Sequence, residues 1–284
     1  MTTQGVVHAG AGGDLVQDAR RQPEFFLAIL TSGEPGLSVH PPYTSLVEAL
    51  TATKLLDLNR GFYQRFASAF TLKRPRLQPG AARAILGIGS EQSVLDLGCG
   101  HGLLAAALAK AGHRGRYVGI DSSRELIEKA RRSVDHPQAS FIAGELAEAH
   151  WADRVEATPF DWIFALAILH HLPGEALRRE FVGRVRPCLR AEGWMVVSVW
   201  DFSGSARMMK RIVPWENLGM TQEEVEPGDY LLDWREGGRG LRYVHLFTPE
   251  TLEDLARSCG FRVKETFRSD GEGGRLGIYQ VWQR

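Results

Sequence analysis

The chain has 284 residues, with 34 basic and 34 acidic side chains, so its formal charge at pH 7 is zero. This length is enough for one α/β catalytic domain with additions, since a single domain typically takes about 100 to 200 residues. The balanced charge excludes a global electrostatic field that would draw the molecule onto nucleic acid or a membrane surface. Any nucleic-acid partner must therefore be bound by a local patch.

The three cysteines, Cys99, Cys188 and Cys259, show no CxxC spacing. This disfavours a disulfide framework or a zinc site, and we expect no bound metal. No window approaches about 18 uninterrupted apolar residues, and the N-terminus lacks the charged and apolar runs of a signal peptide. We therefore expect a cytoplasmic protein with no membrane partner.

The first 90 residues predict two different regions. Residues 1–42 mix glycine, proline and polar residues and are expected to be a partly disordered extension, with a short docked helix at 25–30. From Thr44 to Pro75, apolar residues recur every three or four positions, which predicts a helix with an apolar stripe. Residues 43–90 are therefore interpreted as a helical N-terminal cap.

From residue 91 onward, strands and helices alternate, which is typical of a parallel sheet with helices on both faces. The predicted strands cover 93–97, 115–120, 139–143, 160–166, 193–200, 261–267 and 276–282. The predicted helices cover 103–111, 123–133, 175–190 and 249–258. We interpret 91–284 as one α/β domain with an antiparallel last strand. The polar, glycine-rich stretch 203–246 shows no long periodic element and is interpreted as an insertion after the fifth strand.

The segment VLDLGCGHG ends the first strand and leads into a helix. Gly98, Gly100 and Gly102 let the backbone approach a nucleotide-like ligand without obstruction, and Cys99 is assigned to the same loop. Such loops also bind the pyrophosphate of NAD, so the glycines alone leave both cofactors open. The GxGxG spacing and the Asp96 carboxylate favour S-adenosyl-L-methionine (SAM), because a carboxylate repels a pyrophosphate and suits the ammonium group of methionine.

Three later strand ends supply further candidate cofactor residues. Asp121, followed by Ser122, ends the second strand about 20 residues after the loop, where a carboxylate can accept hydrogen bonds from both ribose hydroxyls. Glu145 and Leu146 follow the third strand, where they are placed to receive the adenine amino group and to cover its ring. An ordinary loop glutamate is the alternative for Glu145. Leu166, at the end of the fourth strand, would lie beside the methionine portion of SAM.

Together, the motifs VLDLGCGHG, VGIDSS, FIAGEL and FDWIFALAILHHLP resemble the successive motifs of the class I SAM-dependent methyltransferase family over residues 91–202. The resemblance implies an α/β fold with a Rossmann-like seven-stranded sheet and a reversed final hairpin.

The flanking segments, NRGFYQRFASAFTLKR at 59–74 and LRYVHLF at 241–247, resemble the tRNA wobble-uridine carboxymethyl methyltransferases. This resemblance implies esterification of the carboxylate of a 5-carboxymethyl-uridine, with tRNA as partner. It leaves open whether a small protein activator is needed. A carboxylate is already ionised at pH 7, so the reaction would depend on capture and alignment more than on a general base. Lys73 and Gln78 depart from that family's pattern.

The same resemblance implies roles for four catalytic candidates. Arg74 and Arg242 would grip the carboxylate or tRNA phosphates, and His171 and His245 would donate hydrogen bonds. The alternative for the two arginines is a solvated surface position, and the alternative for His171 is a loop contact.

Aromatic side chains near these candidates have two interpretations. Tyr63 is assigned to the cofactor pocket, and with Trp200 and Trp215 it would also be able to stack on a splayed base. The alternatives are half-buried packing for Tyr63 and a hydrophobic clasp within the insertion for Trp215.

Two other functions stay open at this point. The first is a small-molecule methyltransferase acting on an oxygen, nitrogen or carbon of a metabolite, with 203–246 as a lid, which the neutral charge slightly favours. The second is a SAM-binding protein without catalysis, against which the intact loop glycines and the carboxylates of Asp96 and Asp121 argue.

Overall fold

The structure is a computed structural model that describes residues 46–73, 76–148, 150–155, 158–235 and 237–284. The extension predicted at 1–42, with its expected helix at 25–30, lies outside the described residues. So does the predicted site residue Arg74. None of the described helices is both long enough and apolar enough to cross a membrane.

The described residues form helices and strands that we number in chain order. The α-helices are α1 (Leu46–Lys73), α2 (Pro79–Ala84), α3 (Leu103–Lys110), α4 (Arg124–Ser133), α5 (Glu175–Val185), α6 (Ala206–Met209) and α7 (Pro249–Ser258). The strands are β1 (Val94–Leu97), β2 (Tyr117–Asp121), β3 (Ala139–Ala143), β4 (Phe160–Leu166), β5 (Leu189–Trp200), β6 (Ile212–Val213), β7 (Asp229–Trp234), β8 (Gly240–His245), β9 (Arg262–Ser269) and β10 (Gly277–Gln283). Short 3-10 helices cover Ile85–Gly87, Ala152–Arg154, Leu169–His171, Arg186–Cys188, Trp215–Leu218, Gln222–Glu224 and Glu272–Gly274.

Seven strands form the main sheet in the order β3-β2-β1-β4-β5-β10-β9. The first five of these are parallel, whereas β10 runs antiparallel to both β5 and β9. This architecture confirms the predicted α/β fold with an antiparallel last strand.

Strand β1 explains why helices cover both faces of this sheet. All four of its residues are buried, and successive side chains of a strand point to opposite faces. Val94 packs in a core with residues of α3 and α4. Leu95 and Leu97 pack in another core with residues of α5 and α7. A strand buried on both faces is typical of a parallel sheet between two helical layers.

The fifth helix ends earlier than predicted. We expected it to reach residue 190, but α5 ends at Val185 and a 3-10 turn at Arg186–Cys188 follows. Pro187 lies in that turn, and a proline inside an α-helix removes a hydrogen bond and clashes with the preceding turn. Strand β5 consequently begins at Leu189, four residues before the predicted start at 193.

The insertion contains three short strands that we did not predict from the sequence. Strands β6, β7 and β8 form a separate three-stranded antiparallel sheet, which we call the small sheet. Its strands escaped prediction because buried positions do not alternate along them: the adjacent residues Leu231 and Leu232 are both buried. Two charged residues, Asp229 and Arg242, are buried as well and lower the apparent hydropathy of these strands.

Helix α1 packs against the small sheet. Leu55 belongs to a core with Trp215, Leu231 and Tyr243, and a second contact joins Phe62 and Phe66 of α1 to Trp234. Trp215 is buried there, which agrees with a packing role inside the insertion and not with an exposed stacking platform. The helix and the insertion thus form one wall beside the main sheet.

Replacing Leu55, which is 1% exposed, should loosen this wall. We expect Leu55→Ala to lower the free energy of unfolding by about 2 to 5 kcal/mol, since it removes buried methyl groups and leaves a cavity. Leu50→Ala on the same helix is the matched control, because Leu50 is 62% exposed. Urea denaturation followed by tryptophan fluorescence measures both variants. Equal losses for the two would contradict the packing described.

Candidate active site

A cavity of about 460 Å³ lies at the carboxyl ends of the parallel strands, where open α/β sheets generally bind ligands. Residues that follow β1, β2, β3 and β4 line it, together with the end of β5 and one face of α1. The structure brings most of the predicted site residues to this cavity. Those in its wall are Tyr63, Asp96, Gly98, Cys99, Gly100, Asp121, Ser122, Glu145, Leu146, Leu166 and His171.

The glycine loop after β1 has a backbone that only glycine adopts readily. Gly98 and Gly100 have φ values of 79° and 56°. A Cβ on Gly98 would lie 2.3 Å from Cδ1 of Ile168, whereas one on Gly100 would project into open space. Gly102 lies just behind the cavity wall as the N-cap of α3.

Asp121 ties this loop to the end of β2. Its Oδ2 accepts a hydrogen bond from the Gly100 amide at 2.9 Å, and its Oδ1 accepts one from the Ser123 amide at 2.8 Å. Burial raises the pKa of this carboxyl, and the two amide bonds oppose the rise. Each carboxylate oxygen keeps a second lone pair, so the group fits a ligand that carries a vicinal diol, such as a ribose.

Asp96 is a buried carboxyl at the cavity wall. Its Oδ2 accepts a hydrogen bond from the Tyr117 hydroxyl at 2.5 Å. Burial raises the pKa of Asp96 to about 7, the Tyr117 bond opposes this rise, and the charge of Asp121 adds to it. A cationic ligand group would stabilise the ionised form. The Asp96 carboxylate therefore fits the ammonium group of a methionine moiety.

Glu145, which also lines the cavity, is held by a residue that the sequence did not single out. Arg60 of α1 donates from Nε to Glu145 Oε2 at 3.2 Å and also pairs with Asp57. Leu146 is buried beside Glu145. This arrangement leaves an apolar surface next to a carboxylate, which suits a purine ring with an exocyclic amine.

Tyr63 and His171 form a hydrogen-bonded pair in the wall of the cavity. The Tyr63 hydroxyl oxygen lies 2.5 Å from His171 Nε2, and His171 Nδ1 lies 3.2 Å from the carbonyl oxygen of Tyr243. Asn59 Nδ2 lies 3.5 Å from the same Nδ1. The shorter contact of Nδ1 is to the carbonyl oxygen, which only accepts hydrogen bonds, so we assign the ring proton to Nδ1. Nε2 is then the basic nitrogen, which accepts the Tyr63 hydroxyl proton.

The structure does not bring Arg242 to the cavity. Its guanidinium is buried among three aromatic rings, at 4.5 Å from the ring centre of Trp200, 5.1 Å from Phe62 and 5.6 Å from Trp234. Trp200 does line the cavity, but it also stacks on His170 at 4.9 Å. The Trp200 ring is thus already in contact with the Arg242 guanidinium and the His170 imidazole.

His245 also lies away from the cavity, in a polar cluster beneath the small sheet. Its Nδ1 lies 2.7 Å from Oδ1 of Asp229, which also accepts from the Tyr243 hydroxyl. Glu226, Asp229 and His245 offer ligand atoms within 4.8 Å of one another. However, Glu226 pairs with the buried Arg178 at 2.5 Å, so a guanidinium already supplies the positive charge of this cluster.

One part of the wall was not predicted from the sequence at all. Asp270, between β9 and β10, accepts from the Gly80 amide of α2 at 2.9 Å and from the Tyr279 hydroxyl at 2.5 Å. Arg76 and Gln78 line the cavity beside them. Only the antiparallel return of β10 brings these distant segments together, so no local motif marks them.

A model of a methyltransferase domain family matches residues 61–266, which span the glycine loop, Asp121 and the Tyr63–His171 pair. The chain belongs to the class I SAM-dependent methyltransferase family. SAM is accordingly its cofactor, and the carboxylates of Asp96 and Asp121 are acceptors that fit its ammonium group and ribose hydroxyls.

Three known proteins show how far this likeness extends. A protein of Encephalitozoon cuniculi that is named as a methyltransferase is 27% identical over 219 residues, which cover 73% of this chain and 92% of that protein. Trans-aconitate 2-methyltransferase of Azoarcus is 37% identical over 111 residues, but the match spans only 38% of this chain and 41% of that enzyme. The structure of 1,6-didemethyltoxoflavin-N1-methyltransferase of Burkholderia thailandensis, with its substrate and S-adenosylhomocysteine bound, matches with a TM-score of 0.55 at 18% identity. It covers 87% of this chain and 93% of that chain, and it shows the shared fold.

Removing the Asp121 carboxylate should weaken cofactor binding. We expect Asp121→Ala to raise the dissociation constant of S-adenosylhomocysteine about 10- to 100-fold, because two ribose hydrogen bonds worth about 1 kcal/mol each are lost along with the anchor of the loop. Asp153→Ala is the control, since the Asp153 side chain is 75% exposed. Isothermal titration calorimetry measures both. Equal affinities would refute the assignment.

The raised pKa of Asp96 predicts a pH-dependent stability. Burial raises the pKa of this carboxyl from its ordinary value of 3.8 to about 7 in the folded protein, so between these pH values the folded state binds more protons than the unfolded state. This carboxyl therefore makes the free energy of unfolding fall as pH rises from about 4 to 7. Asparagine does not ionise and still accepts the Tyr117 bond.

We therefore expect Asp96→Asn to be more stable than the parent protein at pH 8, with an advantage that shrinks as the pH is lowered to 5. Chemical denaturation at both pH values measures it. Asp254→Asn, at a side chain that is 74% exposed, should show no such trend. An advantage that is constant with pH would mean that Asp96 is ionised throughout.

Proposed function

We propose that the protein transfers the methyl group of SAM to a hydroxyl oxygen or ring nitrogen of a small-molecule acceptor, and that Tyr63 and His171 take up the acceptor proton. The observation that carries the proposal is the 2.5 Å contact between the Tyr63 hydroxyl and His171 Nε2 in the cavity wall. A neutral hydroxyl or ring N–H is a poor nucleophile until it loses its proton, so a base at this position has a chemical purpose.

The proton balance follows from the assigned tautomer. Bound SAM supplies an electrophilic methyl group on a sulfonium, which leaves as a neutral thioether. As the acceptor O–H or N–H bond breaks, Tyr63 Oη takes the proton and passes its own proton to His171 Nε2. The imidazolium that forms keeps its Nδ1–H bond to the Tyr243 carbonyl, which stabilises the positive charge.

The surroundings of this pair favour an apolar acceptor. Leu56, Leu172, Trp200 and Leu276 line the same cavity. Apolar walls with a few placed polar groups are typical of small-molecule sites. We infer a flat or aliphatic acceptor body that presents one weakly acidic hydroxyl or ring N–H.

Burial of the relevant side chains argues against the wobble-uridine reading. Arg242 and Trp215 are buried, so these two side chains do not present a surface for RNA. The neutral net charge gives no general attraction to a polyanion either. The name of the trans-aconitate relative points to a small molecule in that enzyme, which supports the same class here.

Label transfer distinguishes the possible acceptors. Full-length protein is incubated with SAM carrying a tritiated methyl group and with either the small-molecule fraction or the tRNA fraction of cells that lack the enzyme. We expect alkali-stable label in the small-molecule fraction. Alkali-labile label in tRNA would instead establish the carboxymethyl ester, and alkali-labile label on a small molecule would establish a carboxylate acceptor.

Substitution of His171 tests the proposed base. We expect His171→Gln to lower the rate of label transfer about 10²- to 10⁴-fold, the usual contribution of a general base, with unchanged affinity for S-adenosylhomocysteine. His150→Gln is the matched control, because the His150 side chain is 85% exposed. A His171→Gln variant that transfers label at the parent rate would remove His171 from the chemistry.

A further inference from the structure

Asn59 is a buried amide at the point where three elements meet. It lies in α1 one turn before Tyr63 and is 5% exposed. Beside it run strand β8 and the 3-10 turn Leu169–His171 that follows β4. A buried amide requires hydrogen-bond partners, and those of Asn59 show what it holds.

Both ends of the Asn59 amide are bonded to one residue of β8. Oδ1 accepts from the Tyr243 amide at 2.9 Å, and Nδ2 donates to the Tyr243 carbonyl at 3.1 Å. These two hydrogen bonds, one to the amide and one to the carbonyl of the same residue, are what a neighbouring strand would provide to a residue of an edge strand. Nδ2 also lies 3.4 Å from the carbonyl oxygen of His171 and 3.5 Å from its Nδ1. Asn59 therefore fixes the Tyr243 carbonyl relative to the backbone of His171.

The Tyr243 carbonyl is also the group that faces His171 Nδ1, at 3.2 Å. Its two lone pairs accept one bond from Asn59 and one from the imidazole. The position of this oxygen selects the Nδ1–H tautomer, and that tautomer leaves Nε2 basic towards Tyr63. If the carbonyl were displaced, either ring nitrogen would be free to carry the proton.

We propose that Asn59 is a positioning residue, which holds the Tyr243 carbonyl so that His171 keeps its basic nitrogen directed at Tyr63. The inference rests on the proposed role of His171 in methyl transfer. Asn59 is part of the cavity wall, but both ends of its amide are bonded to Tyr243, so it acts through the carbonyl and the imidazole. Its effect should therefore appear in the tautomer of His171 and should vanish when His171 is removed.

The first measurement needs no acceptor. Full-length protein labelled with nitrogen-15 in its histidines is compared by NMR with the Asn59→Leu variant, which has a similar volume and no polar atoms. We expect His171 of the parent to show a protonated Nδ1 and an unprotonated Nε2, and the variant to show a mixture of the two tautomers. An unchanged His171 signal in the folded variant would overturn the proposal.

Asn59→Ser is the second variant, for use if Asn59→Leu does not fold, since serine keeps a small polar group but cannot bond to both the amide and the carbonyl of Tyr243. Asn217→Ser is the control, because the exposed Asn217 amide donates only to the Pro214 carbonyl within the insertion. The control should leave the His171 tautomer unchanged.

The second measurement uses the rate of tritiated-methyl transfer to the small-molecule fraction. We expect Asn59→Ser to lower this rate about 10- to 1000-fold in the parent, with unchanged affinity for S-adenosylhomocysteine, and to change it less than about twofold in the His171→Gln background, because coupled residues are not additive. An equal loss in both backgrounds would show that Asn59 acts independently of His171. If His171→Gln alone keeps the parent rate, the proposed function fails, and the tautomer measurement still decides the role of Asn59.

Discussion

The hydrogen bond from the Gly100 amide to the Asp121 carboxylate joins the ends of two neighbouring strands, and the cavity depends on it. The bond requires a positive φ at Gly100, which residues with a side chain rarely adopt. It also requires the Asp121 carboxyl group to be buried, which raises its pKa. Both costs are local and are offset by the rigid sheet beneath. The result is a fixed loop that places amides and two carboxylates, Asp96 and Asp121, around one ligand space.

Helix α1 connects the two ends of that space. One face of this helix lines the cavity. Its four lining residues are Leu56, Asn59, Arg60 and Tyr63, which recur every three or four positions. Arg60 reaches Glu145 at the end expected to hold the purine, and Tyr63 reaches His171 at the end expected to hold the acceptor. Because the same helix packs on the small sheet, the insertion supports the acceptor side, and none of its described residues is a charged group in the cavity wall.

The sequence predicted the cofactor side well because that side is built from local segments. Each of its residues lies at the end of a strand or just after it, so strand periodicity together with a glycine or a carboxylate was sufficient to locate Asp96, Gly98, Gly100 and Asp121. The assigned ligand contacts of these residues stay predictions until a bound complex is measured.

The acceptor side was less predictable because its contacts join residues far apart in the chain. Asn59 meets Tyr243 across 184 positions, and Tyr63 meets His171 across 108. From the sequence, Arg242 was predicted to be a catalytic group, with a surface arginine as the alternative, yet three aromatic rings surround it in the fold. The small sheet was not predicted because its strands contain buried charged residues, which lower the hydropathy of the segment.

A crystal structure of the full chain with S-adenosylhomocysteine tests the central claim most directly. We expect the ribose hydroxyls on Asp121, the ammonium group beside Asp96, and a sulfur atom that faces the Tyr63–His171 pair with room for an acceptor atom between them. A sulfur atom directed at Asp270 and Tyr279 instead, with His171 facing the adenine, would contradict it.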